Sequence, residues 1–336
     1  MRAAFLYLPT CIAFFTTVIF IGIGSLPSRA DTLAINAAQV LNFRLGDNKT
    51  GFGRLEFTGG LVLSSDDKDF GGLSGIRFID GQDRFMAVSD AGHIFTASIR
   101  RDILGAPVDV FDARKDAIPG IGGFLSGLKQ DSDCEAIEMA GDRLWLSFER
   151  KHRIDAYALS NGVISGEPKP FNDQIRKLRL SSNRGLEALA LLDGSVPGNE
   201  RLLAISEESL DGDGNMKAFT VTADAITPLS LLRKDGFDAT DAVSLPGGDI
   251  LVLERRYSLK TGPAMRLRRI AASSITGGVV LDGETLLEAD ITFRIDNMEG
   301  LAVRQDNDGN TRITIVSDDN FSVLQSTLLL EFRLAE

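Results

Sequence analysis

Asn297-Met298-Glu299-Gly300-Leu301-Ala302-Val303, followed after a polar turn by Ile313-Thr314-Ile315-Val316-Ser317-Asp318-Asp319-Asn320-Phe321, decides the reading of this chain. Both segments are short runs of apolar and β-branched residues, the composition of strands, and together they read as a hairpin. In an antiparallel hairpin the start of the first strand lies beside the end of the second. Glu299 and Asp318 are therefore expected at one edge of the sheet.

The same pattern recurs upstream. Leu73-Ser74-Gly75-Ile76, Cys134-Glu135-Ala136-Ile137, Leu186-Glu187-Ala188-Leu189 and Thr240-Asp241-Ala242-Val243 each place an acid, or Ser in the first copy, before a small residue and an aliphatic one. Each is followed by a second apolar run ending in an acid: Asp90, Glu149, Glu207 and Glu254 match Asp318. Third strands follow at Ile94–Ile99, Ile154–Leu159, Ala218–Val221 and Leu328–Phe332, with looser fourth candidates. A period of roughly 50–60 residues with about four strands per unit is the mark of a β-propeller. Repeated strands alone would suit many all-β folds, but here the acids recur in register too. Five blades can be counted, and a sixth would have to come from residues 36–70. The last copy ends just after its third strand, so Leu55–Leu63 is expected to complete that blade and close the ring, leaving no open edge.

At the N-terminus, Met1-Arg2, an apolar run to Gly24 and a small-x-small Ser28-Arg29-Ala30 read as a secretory signal peptide over residues 1–30. The run is long enough to serve instead as an uncleaved anchor. The expectation is one propeller domain over residues 31–336, exported to the periplasm or medium, off the membrane after cleavage, and monomeric. Cleavage takes Lys+Arg from 36 to 34 against 47 Asp+Glu, making the formal charge still more negative than the full chain's −11. Such an acidic chain is a poor partner for nucleic acid or an anionic membrane. Only Cys134 remains in the mature chain, so no internal disulfide can form, and packing as a small hydrophobe is its expected role.

Radial blades would set Ser74, Glu135, Glu187, Asp241 and Glu299 in one circle at a mouth of the central channel, and Asp90, Glu149, Glu207, Glu254 and Asp318 in a second just outside it. Carboxylates so close must either take up protons or gather cations. Arg150, Arg184 and Arg255 are placed to answer some of the charge and to grip an anionic group. A hard divalent ion such as Ca²⁺, bound through oxygen, would answer the rest. The alternative is a self-satisfied structural network of acids capping strand amides.

Other constellations are weaker. Asp211-Gly212-Asp213-Gly214-Asn215 and Asp306-Asn307-Asp308-Gly309-Asn310 resemble the start of a Ca²⁺ loop but break its pattern at Met216 and Thr311, and they read as hairpin turns. His93 and His152 follow the acids of the first two copies, as general acid, ligand or plain surface residue. With no nucleophile elbow, zinc spacing or phosphate-cradling loop, nucleophilic catalysis by Ser or Cys has no support.

Through Phe70-Gly71-Gly72-Leu73-Ser74-Gly75-Ile76, Ser89-Asp90-Ala91-Gly92, Asp133-Cys134-Glu135-Ala136-Ile137, Arg184-Gly185-Leu186-Glu187-Ala188-Leu189, Val252-Leu253-Glu254-Arg255 and Val316-Ser317-Asp318-Asp319-Asn320-Phe321, the chain resembles the exported phytase-like proteins labelled "esterase-like activity of phytase". The resemblance implies a propeller with an acidic, Ca²⁺-associated mouth and hydrolysis of phosphate esters on a small anionic substrate. On that reading the nine acids Asp90, Glu135, Glu149, Glu187, Glu207, Asp241, Glu254, Glu299 and Asp318 hold the metal. Glu299 and Glu187 join Arg184, Arg255 and Arg150 as the catalytic set. The rivals are a non-catalytic binding or scaffold propeller with structural calcium and a metal-dependent lactonase.

Overall fold

The computed structural model describes residues 31–79, 81–121, 132–182, 184–192 and 196–335; the expected signal segment, residues 1–30, lies outside them. Within these residues the strands form five sheets, each counted outward from the strand that carries the repeat motif. The first sheet runs Leu73–Phe78, Arg84–Ser89, His93–Arg101 and Pro107–Ala117. The second runs Cys134–Ala140, Arg143–Phe148, Arg153–Ser160 and Val163–Pro170. The third uses Leu186–Leu191, Leu202–Leu210, Met216–Val221 and Ile226–Leu231. In the fourth the strands are Asp238–Ser244, Ile250–Ser258, Gly262–Ile270 and Glu284–Ala289. The fifth has Asn297–Gln305, Thr311–Asp318 and Thr327–Leu334, and its fourth place is taken by Leu55–Ser64, antiparallel to Thr327–Leu334. Asn36–Val40 pairs on the far side of that strand, so residues 36–64 thicken the last blade and make no sixth.

The hydrophobic cores explain why the second strands read as unbroken apolar runs. Five clusters of buried side chains lie one between each pair of neighbouring blades, including the last and the first. A blade is thus covered on both faces. In Arg143–Phe148, Leu144 and Leu146 pack toward the first blade while Trp145 packs toward the third. Burying each such side chain contributes about 1.5–3 kcal/mol.

Two of the motifs' small residues, Gly75 and Gly300, mark a close approach of neighbouring inner strands. A Cβ on Gly300 would stand 3.1 Å from Gly75 Cα and 2.6 Å from a Val316 methyl. Only glycine fits there without moving backbone.

Further along the axis, Arg77 plugs the channel. Its Nη1 donates to the carbonyls of Ile76 (2.7 Å) and Leu301 (2.6 Å), and its Nη2 to those of Leu189 (2.8 Å) and Ala242 (2.6 Å). Both also reach the Asp241 carboxylate, at 2.9 and 3.1 Å, and Nε lies 3.5 Å from Glu138. One guanidinium therefore touches the inner strand of every blade. Asp241 is fully buried and also accepts the amides of Ala242 and Leu301. Both Asp241 oxygens and both Arg77 Nη atoms are satisfied, the condition under which a buried ion pair is tolerable, while Arg77 Nε has no hydrogen-bond partner among the described residues.

Candidate functional site

Each inner strand carries a one-residue β-bulge near its start. Register jumps between Leu73 and Gly75, Cys134 and Ala136, Leu186 and Ala188, Ala239 and Asp241, and Met298 and Gly300. The extra residues are Ser74, Glu135, Glu187, Thr240 and Glu299. A bulge bends the strand and re-aims the extra side chain, and four of the five line the channel mouth.

The fourth blade departs from the expected frame by one residue. Thr240, not Asp241, is the bulged residue, and its hydroxyl donates to the Met298 carbonyl at 3.0 Å. Asp241 takes the place of the small residue and points down the axis to Arg77. The shift carries into the partner strand. Glu254 pairs opposite Ala239, where the other blades have Ser89, Phe148, Ser206 and Ser317 opposite their inner strands. It is fully buried and held by Arg266 Nε at 2.7 Å and by Arg268. Asp241 and Glu254 are thus withdrawn from the expected acid rings, because the bulge position decides which side chain faces the opening. Arg255 stands where the outer acid was expected.

The remaining seven acids, Asp90, Glu135, Glu149, Glu187, Glu207, Glu299 and Asp318, line one cavity of about 760 Å³ together with Ser74 and Arg255. Arg255 is braced across it, with Nη2 2.8 Å from Glu207 Oε1, Nε 3.2 Å from Glu299 Oε1 and Nη1 donating to Asn297 Oδ1 at 2.7 Å. Asn297 in turn donates to Glu299 at 2.9 Å and to Asp318 at 3.4 Å, tying together the two acids of the hairpin. Gly72, at φ +61°, passes beneath the outer ring; a Cβ there would lie 2.5 Å from Asp90 Oδ1.

The electrostatics follow from burial. Loss of solvent pushes Glu135 and Glu187 well above the ordinary carboxyl range, and the neighbouring carboxylates add to the effect. Burial raises Glu299 to about 8, overriding Arg255, with help from Asp318 and Glu207. It raises Asp318 to about 6 against the Asn320 amide that it accepts, and it raises Glu149 and Glu207 as well. The site is thus short of positive charge.

Asp133, Glu135 and Glu149 offer one oxygen each within 4.8 Å of one another. Oxygens bound to one Ca²⁺ at 2.3–2.6 Å lie no further apart than about 5 Å, so the trio fits a hard divalent cation. Asp133 was not foreseen from sequence. It shares the position two before the bulge with Asp238 and Asn297, and that recurrent polar position was the available signal. Asp238 is spent on Arg233, at 2.7 and 2.9 Å.

Of the three arginines singled out from the sequence, Arg255 lines the mouth, and Arg256 beside it does so too. Arg150 turns away and pairs with Asp133, and Arg184 pairs with Glu208. His93 lies 3.8 Å from Asp69, and neither it nor His152 lines the mouth. Asp211 and Asp306 spend their oxygens on amides of their own turns, Asp213 and Asn215 in one, Asp308 and Asn310 in the other, as hairpin turns do. Cys134 is buried in the core, its thiol pushed well up by loss of solvent.

The sequence profile described as "Phytase-like: Esterase-like activity of phytase" matches residues 68–321, a span that contains every carboxylate of the mouth. The chain belongs to the phytase-like family. No curated protein matches this phytase-like chain in sequence. Among solved structures it is similar to the PQQ-bound aldose sugar dehydrogenase of Streptomyces coelicolor, at 11% identity over 90% of this chain and 99% of that one, with a TM-score of 0.47. It is also similar to the α-L-arabinofuranosidase PaAbf62A of Podospora anserina in complex with cellotriose, at 14% identity over 85% and 98%, with a TM-score of 0.45. A glucose dehydrogenase follows at 10% identity over 82% and 98%, with a TM-score of 0.44. Among the described residues no helix is long and apolar enough to cross a membrane.

Proposed function

We propose that this phytase-like propeller is a metal-dependent hydrolase of phosphate esters, working at the acidic mouth on a small anionic substrate, with Ca²⁺ as the natural ion. One observation carries the reading: eight carboxylates, the seven of the rings and Asp296, line one cavity with two guanidiniums, Arg255 and Arg256, while the buried acids Asp241, Glu254 and Glu331 are each matched to arginine. Membership in the phytase-like family supports the choice of ester.

Asp133, Glu135 and Glu149 would hold the cation, with Glu187 beside them. When bound, the ion supplies Lewis acidity and the positive charge that lets a phosphoryl group enter this cavity. Arg255 presents a fixed guanidinium to the substrate's oxygens, and Glu207, Glu299 and Asn297 keep it from rotating away. Glu299, raised to about 8, holds a proton at neutral pH and is placed to pass it to a leaving oxygen. Export, with residues 1–30 as the signal, is part of the same proposal.

The test is phosphate release from phytate and p-nitrophenyl phosphate by the mature chain, with Ca²⁺ or with EDTA. Release that depends on Ca²⁺ and falls at least a hundredfold in Glu135→Gln and in Arg255→Gln is expected. Metal-loaded protein inert toward a panel of phosphate esters would remove the proposal.

A further inference from the structure

The wall of the acidic mouth differs from one side to the other. Among the described residues, the first three blades line it with polar side chains alone: Ser74, Asp90, Glu135, Glu149, Glu187 and Glu207. Its aliphatic and aromatic side chains, Tyr257, Pro263, Ala264, Ile295 and Leu324, all come from the fourth and fifth blades or the segment between them.

Two firmly held elements build this apolar side. In the first two blades the second strands end at Ser89 and Phe148, before the outer acid. In the fourth blade the ladder runs on past Arg255: Arg256 pairs with Ala264, Tyr257 with Pro263 and Ser258 with Gly262. Three more residues carry the hairpin about 10 Å beyond Arg255, with Tyr257 68% exposed on it. In the fifth blade the loop of residues 319–326 is tied down near both ends. Gln325 Nε2 and the Ser326 amide donate to Asp296 at 3.0 and 2.9 Å, and the Phe321 amide and Thr327 hydroxyl donate to Asp319 at 3.1 and 3.0 Å. Asn320 and Phe321 are left-handed in succession, φ 49° and 50°, uncommon for residues with side chains. The Phe321 ring lies against Gly72, where a Cβ would stand 2.7 Å from it. Leu324 is left 91% exposed. Apolar carbon on a loop this constrained has little freedom left to lose when a ligand covers it.

The countercharge is limited in the same place. Arg255 is held between Glu207 and Glu299, and Arg256 donates to the Asp235 carbonyl and lies over the Phe237 ring. A ligand carrying several phosphates would set most of them against carboxylates. A ligand with one phosphate and an apolar remainder would meet charge at Arg255 and carbon at Tyr257 and Leu324, and a cavity of about 760 Å³ has room for both.

We propose that the mouth takes phosphate monoesters of small apolar alcohols, alkyl or aryl, with the apolar group lying on Tyr257 and Leu324 while Arg255 meets the phosphate. The inference rests on the phosphate-ester reading of the mouth and narrows it to one substrate class.

The experiment is calorimetric titration of the full mature chain, in Ca²⁺, with n-alkylphosphonates from ethyl to hexyl, which keep the anion constant as the chain lengthens and carry a P–C bond that is not hydrolysed. Fully burying a methylene strengthens binding about fourfold, so on this half-open wall a rise of roughly tenfold or more from ethyl to hexyl is expected. Tyr257→Ser/Leu324→Ser should cut the rise to about threefold or less. Ile103→Ser, which removes an exposed side chain from a turn of the first blade, should keep it whole. Thermal melting confirms each fold; should the double variant not fold, Leu324→Ser alone carries the test, with the rise roughly halved. A flat series, the full rise in the wall variant, or an equal loss in Ile103→Ser overturns the proposal and leaves the phosphate-ester reading standing. The expected rise in a chain that turns over no phosphate ester supports the ligand class and removes the hydrolase. Binding of no phosphonate at all overturns both.

Discussion

Glu254, fully buried, and Glu299, partly buried, are both acids at blade ends, yet the fold treats them in opposite ways. Glu254 meets two guanidiniums, Arg266 and Arg268, the second of them itself fully buried. Asp241 has Arg77, and Glu331 has Arg101 together with the Thr314 hydroxyl. Glu299 shares a single arginine with Glu207 and has Asp318 close by. This chain evidently has a way of neutralising buried acids, and it withholds that way at the mouth. Leaving carboxylates short of countercharge weakens the fold, and the proposed cation would offset that cost at the mouth.

The contrast can be broken first on its structural side. Arg77→Met leaves Asp241 buried without its partner and frees four carbonyls along the axis. A loss of about 3–5 kcal/mol is expected in denaturant unfolding, and a change under 1 kcal/mol would show that the plug is incidental.

On the mouth side the sign of the pH dependence is the diagnostic. Glu299 and Asp318 have raised pKa values, about 8 and about 6, so between the unfolded carboxyl range and those values the folded state holds more protons than the unfolded one. Their contribution is fully present below about pH 4 and is lost as pH rises through 6 and then 8. Metal-free protein should therefore lose stability from pH 5 to 8.5, by on the order of 3 kcal/mol. Thermal melts in EDTA that rise over this interval would contradict the picture.

Adding Ca²⁺ should reverse the trend. At a hundredfold excess over its dissociation constant the gain is about 2.7 kcal/mol. The gain should grow with pH, because the ion displaces protons, and should largely vanish in Glu135→Gln. Asp306→Ala sharpens the comparison from outside the site. It removes a turn carboxylate held at about 2 by Arg312 and Asn310, costs about 1 kcal/mol above pH 4, and should leave the Ca²⁺ response untouched. That contribution fades as pH falls from about 3.8 through 2.

Much of this was legible in the sequence. The blade count and the strand carrying each acid followed from recurrence, because every blade must present two apolar faces to its neighbours. What recurrence does not carry is a one-residue frame. Thr240-Asp241 and Glu254-Arg255 each offer two neighbouring polar residues, and an acid-matching alignment chooses the acid; the bulge chooses Thr240 and Arg255. The third strand of the fourth blade is not legible in the sequence because Arg266 and Arg268 break its apolar pattern, and both are buried. Arg77 left one trace, a cation inside Leu73–Phe78, whose neighbours Ile76 and Phe78 promise a dry environment.

The pairing of Leu55–Ser64 with Thr327–Leu334 bears on how the molecule comes into being. The hydrogen bond from Thr58 to the Glu331 carbonyl joins residues 273 positions apart. An early strand must wait, its apolar side exposed, until almost the whole chain is available to receive it, and contacts of such long range make folding slow. Completion is therefore a late clasp, and a chain halted before Thr327 would be left with a sticky flank.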